Sequence, residues 1–236
     1  MKEWLNRQEL LLGTENSEKL LNACVAVIGL GGVGGSCVEG LARAGIGRLI
    51  LMDFDTVDDT NRNRQLLATV DTVGAQKTTV AANRVLAINP DCAVTELPFF
   101  YDEETSKELF ALHPDYIIDC IDTVTAKLHL IESCKTQEIP LLTCLGTGNR
   151  LDPSAFRIGD IGETANGGGD GLARVMRREL RKRGITKHPV LYSTELPRKT
   201  VIASDGRYAP GSFSCCPPVA GFLLASKAIR DLIGEK

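Results

Sequence analysis

The stretch ACVAVIGLGGVGG, Ala23 to Gly35, runs an apolar segment straight into a glycine-rich turn and then into residues with helical periodicity. Few backbones demand this arrangement. Gly29, Gly31 and Gly34 match a strand–turn–helix fingerprint in which glycines make a tight turn and let the backbone approach a phosphate, and Gly32 between them is a further cofactor-binding candidate. The loop therefore directs the chain toward a nucleotide-binding α/β fold. It does not say whether the ligand is a dinucleotide for hydride transfer or ATP.

The segments that follow extend the pattern. Val38, Leu41 and Ala42 recur at helical spacing before Gly45 and Gly47, and RLILMDFD then gives a second apolar strand, so the opening is a β-α-β unit with a right-handed crossover. QKTTVAANRVLAINP reads as a helix, AVTELPFF as a strand and EETSKELFALHP as a helix ended by Pro114. DYIIDCID and PLLTCLG are strands flanking the helix AKLHLIESCKTQ. The fold class is α/β: a Rossmann-like, doubly wound, mostly parallel sheet with a C-terminal strand and helix extension. Residues 1–236 form one domain, with a nucleotide-binding core over about 20–148 and an extension over about 149–236. The extension holds the strands AFRIGDI and HPVLYSTEL, the flexible NGGGDG, a basic helix and a final helix. Phe222, Leu223, Ala225, Ile229 and Ile233 give that final helix an apolar face, suited to the sheet or to a dimer partner.

Composition removes several alternatives. With 236 residues, 43% of them hydrophobic, the chain can bury one sizeable core, and a net charge of −3 gives no whole-chain nucleic-acid signal. No basic-then-apolar leader opens it, and the apolar stretch Pro217 to Ala225 is far below the roughly 20 residues of a spanning helix. A cytoplasmic protein without a transmembrane segment is expected. None of the eight cysteines forms a C-x-x-C pair, which argues for buried small hydrophobes in a reducing compartment and against a structural zinc site. Cys215 and Cys216 adjoin a helix start, where a thiol can become reactive, but burial is the favoured reading. His113, His129 and His188 are scattered and read as structural or exposed.

The residues that choose the chemistry lie after the second and fourth strands. Asp53, about twenty residues beyond the glycine loop, stands where a carboxylate bonds ribose hydroxyls, with Asp55 beside it. That suits NAD and ATP equally. DFDTVDDTNRNRQ then puts Asn61, Arg62, Asn63 and Arg64 on the loop leaving the second strand, more phosphate-binding groups than hydride transfer can use. Lys77 adds a cation at a helix N-terminus, which itself favours anions. Asp122, after the fourth strand, emerges at the same sheet edge. Two cations and a free carboxylate there fit ATP with Mg2+.

NRQ near Arg7, GLGGVG, DFDTVDDTNRNRQ, GAQK and DCID together resemble the ThiF/MoeB-type adenylating enzymes related to ubiquitin-activating enzymes, over nearly the whole chain. The resemblance implies that Asp53 binds ribose, that Asn61, Arg64 and Lys77 contact ATP phosphates, and that Asp122 positions magnesium. It further implies that Arg7 enters a neighbouring subunit's site, so that a homodimer is the working form and Arg7, Arg64, Lys77 and Asp122 form the catalytic set. Within the superfamily, GIGRLILMDFD, IIDCID, GNRLDPSAFRIGDI and STELP resemble the branch of tRNA threonylcarbamoyladenosine dehydratases. Those enzymes adenylate the carboxylate of threonylcarbamoyladenosine in tRNA, after which the modification closes into a ring. The alternative is activation of the C-terminus of a ubiquitin-like sulfur carrier, which the missing cysteine pairs disfavour. A nicotinamide oxidoreductase is a third possibility, separable by heat protection with ATP and magnesium against NAD. A further protein that accepts sulfur or hands over substrate is compatible with either adenylating reading.

A tRNA substrate requires a surface for it. In GLARVMRRELRKRG, Arg174, Arg177, Arg178 and Arg181 fall on one helical face, Lys182 and Arg183 lie beside them, and Leu172, Val175, Met176 and Leu180 lie on or near the opposite face. Phosphate contact by this helix would give salt-dependent affinity with little sequence preference.

Overall fold

The structure, a computed structural model, describes residues 2–199 and 210–235. Strands β1 (Cys24–Ile28), β2 (Arg48–Met52), β3 (Ala93–Leu97), β4 (Tyr116–Asp119), β5 (Leu141–Cys144), β6 (Phe156–Asp160) and β7 (Pro189–Ser193) form one seven-stranded sheet in the order β3-β2-β1-β4-β5-β7-β6. Only β6, paired with β7, runs antiparallel. The helices are α1 (Asn6–Leu12), α2 (Thr14–Asn22), α3 (Gly32–Arg43), α4 (Lys77–Ile88), α5 (Ser106–Phe110), α6 (Val124–Thr136), α7 (Gly171–Lys182) and α8 (Cys216–Ile233).

The strand sequences account for the layering. CVAVI, YIID and LLTC are buried at every position, as expected of parallel strands covered on both faces. Alternation splits their side chains between two cores: Val25 and Val27 face the cluster formed with α3, α4 and α8, while Cys24, Ala26 and Ile28 face the one formed with α5, α6 and α7. AVTEL, at the sheet edge, is exposed or half-buried except at Leu97. Strands β6 and β7 continue the same sheet, because β7 pairs with β5 through Thr143–Val190 and Cys144–Leu191. None of the helices among the described residues is long and apolar enough to cross a membrane.

Two expectations change, and two helices are added. The helix anticipated over EETSKELFALHP is confined to Ser106–Phe110; Asp102 and Thr105 form a side-chain-capped turn ahead of it, and His113 takes a left-handed φ of 48° behind it. Helix α8 buries Ala220, Gly221, Leu224, Ala225, Ala228 and Ile233 and leaves Phe222 44% exposed. Small residues face inward because α8 lies hard against α3: a Cβ on Gly221 would overlap the Val33 carbonyl oxygen. Finally, α1 and α2, which the sequence pattern did not reveal, cover the amino edge of the sheet, where Leu5 is buried against Gly45 and Gln8 donates to the Ala44 carbonyl at 2.8 Å.

Candidate active site

The neighbours β1 and β4 are joined to the sheet in opposite directions, so their carboxyl ends form the crevice where doubly wound sheets bind ligands. A cavity of about 570 Å³ opens there, lined by Gly29, Gly31, Gly32, Gly34, Asp53, Asp55, Asn61, Arg64, Lys77 and Asp122. Ten residues separated by up to 93 positions in the chain, from Gly29 to Asp122, thus line one cavity. Arg7 does not join them. It lies exposed on α1, at the opposite edge of its own sheet.

The glycine turn is fixed by sterics. Gly29 has φ +89° and donates its N–H to the Met52 carbonyl at 2.7 Å; a Cβ there would sit 2.7 Å from the Cys120 carbonyl oxygen. A Cβ on Gly34 would overlap the Gly29 carbonyl oxygen. These two glycines let α3 start immediately behind the loop with its N-terminal N–H groups toward the cavity.

Asp53 is 8% exposed and accepts N–H bonds from Leu30 at 2.6 Å and Asp55 at 2.8 Å. Burial pushes its carboxyl pKa up, and those two bonds together with Lys77 oppose that rise. Lys77 itself is 5% exposed and its Nζ lies 2.8 Å from Asp55 Oδ2. A buried ammonium at the start of α4 with a single, half-exposed carboxylate partner can transfer its attention to a phosphate. Arg64 donates from Nη1 to the Thr60 carbonyl at 3.1 Å and to Asn63 Oδ1 at 2.8 Å, while Asn61 Oδ1 accepts the Asp58 N–H at 3.2 Å. Strand β4 stops at Asp119, so Asp122 lies on the turn beyond it, exposed; among the described residues its carboxylate accepts only the Thr123 hydroxyl, at 3.3 Å.

Several site features were not read from the sequence. Phe54, Phe99, Phe100 and Tyr101 wall the cavity, with the Phe54 and Phe100 rings 5.2 Å apart and nearly perpendicular. Gln65 is buried there with Oε1 unpartnered. The turn carrying Asp122 rests on a fully buried ion pair: Lys127 Nζ meets Asp119 Oδ1 at 3.0 Å and the Cys144 carbonyl at 2.7 Å, and Asp119 Oδ1 also accepts the Ile121 N–H. This pair ties the ends of β4 and β5 together.

A second cavity, about 860 Å³, adjoins the first and shares Val33, Arg64, Cys120, Ile121 and Asp122 with it. Its other walls are the loop Gly146–Arg150, the α7 N-terminus, and residues Pro197, Pro210, Gly211, Ser212 and Pro217. Asp170 caps α7 through the Leu172 N–H at 2.9 Å and holds Gly146 by its N–H at 3.0 Å, so the basic helix and the cavity wall are one unit. Along α7, Ala173, Met176 and Leu180 are buried. The cationic face is narrower than its sequence. Arg177 turns inward to donate to Thr164 Oγ1 at 2.6 Å, and Glu179 engages Arg178, Lys182 and Arg183; the bonds from Lys182 and Arg178 hold its pKa at about 2. Arg174 and Arg181 are exposed and carry no ion pair among the described residues.

Six of the cysteines are buried; Cys120 is half-buried and Cys215 is exposed, contrary to the expected burial. Cys215 stands just ahead of α8, outside the packing face that encloses Cys216. Burial raises the thiol pKa of Cys216 to about 11 and lifts that of Cys120 well above the ordinary value, which leaves neither as a nucleophile.

The ThiF family matches residues 5–234. The chain belongs to the ThiF family. Among its relatives, this ThiF-family chain is 41% identical to the tRNA threonylcarbamoyladenosine dehydratase of Bacillus subtilis (strain 168) over 248 aligned positions, covering 100% of this chain and 96% of that one. The structure of E. coli tRNA N6-threonylcarbamoyladenosine dehydratase, TcdA, in complex with AMP aligns with a TM-score of 0.89 at 32% identity, covering 99% of this chain and 96% of that one. Its complex with ATP aligns with a TM-score of 0.87 at 31% identity, covering 98% and 94%.

Proposed function

We propose that this chain is an ATP-dependent dehydratase that adenylates the carboxylate of threonylcarbamoyladenosine in tRNA and promotes its cyclisation. One observation carries the reading: the cavity at the glycine turn shares a wall, formed by Val33, Arg64 and Cys120–Asp122, with a second cavity bounded by the basic helix α7. The full-length likeness to the B. subtilis dehydratase supports it.

ATP fits the first cavity, with ribose at Asp53 and phosphates toward Asn61, Arg64 and Lys77. Asp122 suits a hard cation, since its carboxylate is exposed and, among the described residues, bound only to Thr123; it would hold Mg2+, which would supply neutralisation of phosphate charge. The substrate carboxylate, entering from the second cavity, attacks the α-phosphorus; pyrophosphate leaves and a mixed anhydride with AMP remains. Arg64 and Lys77 stabilise the charge at the reacting phosphate. Ring closure by an atom of the same threonylcarbamoyl group then expels AMP. An intramolecular attack has a high effective molarity and requires no enzyme nucleophile, in keeping with the raised thiol pKa values of Cys120 and Cys216. Arg7 is remote from its own cavity, so its part in the reaction requires a second copy, and the homodimer is the proposed working form. The tRNA lies along α7 with Arg174 and Arg181 as its free cations, and the protein acts in the cytoplasm.

The test supplies ATP, magnesium and tRNA bearing threonylcarbamoyladenosine, and follows AMP release and the mass of the digested nucleoside. AMP release with loss of one water from the nucleoside is expected. Pyrophosphate exchange provoked by a Gly-Gly-tailed carrier protein, with no response to tRNA, would replace this reading by carrier activation.

A further inference from the structure

Among the described residues, Arg150 is the cation that keeps a buried donor without a partner. It lines the second cavity and is 2% exposed. Its Nη1 donates to the Gly168 carbonyl at 3.2 Å; its Nε is buried with no hydrogen-bond partner, and no ion pair reaches the guanidinium among the described residues. Burial lowers its pKa. Two carboxylates lie near enough to oppose that shift, but both are occupied elsewhere. Asp170 accepts the N–H groups of Leu172 and Gly146, and Glu195 accepts those of Leu151 and Asp152. A buried cation with an idle donor and no carboxylate in direct contact destabilises a fold unless an anion completes it.

We infer that Arg150 is the anchor for an oxyanion of the RNA substrate in the second cavity. The inference rests on the proposed tRNA reaction for the identity of that substrate. Two groups of the substrate have the required chemistry: the carboxylate of the threonylcarbamoyl side chain before its activation, and a backbone phosphate beside the modified nucleoside. A guanidinium fork matches either. The position is set by the chain: Asn149, immediately before it, adopts a left-handed φ of 58°, and its N–H donates to the Gly211 carbonyl at 2.8 Å. Leu151 and Asp152, immediately after it, are held by Glu195. Asp170 fixes the same loop to α7, so RNA seated on the helix presents its anion to a preset guanidinium.

The test compares the wild type with Arg150→Met and Arg150→Lys by calorimetry, with AMP saturating the nucleotide cavity. Three probes separate the sources: an RNA hairpin carrying threonylcarbamoyladenosine, the same hairpin unmodified, and the free modified nucleoside, which has the carboxylate and no phosphate. Arg150→Met should weaken the modified hairpin at least about tenfold, with Arg150→Lys recovering part of the loss. AMP affinity should not move, because Arg150 does not line the nucleotide cavity. The single-source probe that weakens equally identifies the oxyanion. Thermal melting supplies the discriminating readout: removing an unpaired buried charge should leave Tm unchanged or raise it, whereas a purely structural arginine would leave a lower Tm. Unchanged affinity for all three probes, or a lower Tm with intact RNA affinity, overturns the inference. Failure of the proposed reaction shows separately, as absence of AMP release by the wild type with modified tRNA.

Discussion

Acid should loosen the carboxy-terminal extension through one imidazole. His188 stands just ahead of β7, 5% exposed, with Nε2 2.8 Å from Thr143 Oγ1 on β5 and its backbone N–H donating to Asp160 Oδ2 on β6 at 3.1 Å. It therefore clasps the junction where β7 meets the core sheet through only two residue pairs. Burial holds its pKa at about 4 against an ordinary 6.5; Lys135 and Lys127 push the same way and Asp160 pushes against them. The folded value is the depressed one, so near neutrality both states carry a neutral imidazole and the fold is undisturbed. As pH falls below 6.5 the unfolded chain binds a proton that the folded chain refuses, and stability declines until about pH 4. The depression corresponds to about 3 kcal/mol. Urea unfolding across this range, for the wild type and for His188→Gln, measures it. Glutamine can still bond Thr143 but does not titrate, and the depressed carboxylates common to both proteins cancel in the difference. The wild type should lose about 3 kcal/mol more than the variant. Parallel loss in the two proteins would refute the assignment of the buried neutral form.

Other outcomes follow from the same geometry. Gly34→Ala should destabilise the chain by at least about 3 kcal/mol, since its methyl overlaps the Gly29 carbonyl oxygen. Gly31→Ala meets only Gln65 Nε2 at 3.8 Å and should fold normally while losing nucleotide affinity, as calorimetry with ATP would read. Arg7→Ala should abolish AMP release without lowering Tm, and mixing it with Lys77→Ala should restore about a quarter of the activity through heterodimers with one intact site. Activity that stays at zero on mixing would remove the shared site. Replacing both Arg174 and Arg181 by Ala should reduce the salt dependence of log K for tRNA by a slope of about 2, whereas Arg178→Ala, already paired with Glu179, should change it little.

The parts of this site that the sequence discloses are those written in local rules. A strand followed by glycines, acids at the end of the next strand and a lysine opening a helix each depend on a few neighbouring residues, and parallel topology carries all of them to one edge. What stayed hidden depends on distant partners. Nothing near Arg150 in the sequence says that Asp170 and Glu195 will be occupied by backbone N–H groups, and nothing near Arg177 says that Thr164 will draw it inward. Lys127 reads as an exposed helical lysine until Asp119 and the end of β5 close around it. Phe99 and Phe100 follow a short edge strand with no pattern of their own, and only the neighbouring strand order brings them beside Phe54.

The contact of α8 with the phosphate loop bears on how the protein is made. Pro217 presses on Gly32 and Gly221 on Val33, so the wall behind the glycine turn comes from a helix nearly two hundred residues downstream. A ribosome that has released everything through β7 has already emitted every side chain of the nucleotide cavity, but not the surface that keeps the turn in shape. Nascent chains should therefore ignore ATP until α8 emerges, and ATP capture should arrive late and abruptly during synthesis. In that sense nucleotide binding acts as an inspection of the finished fold.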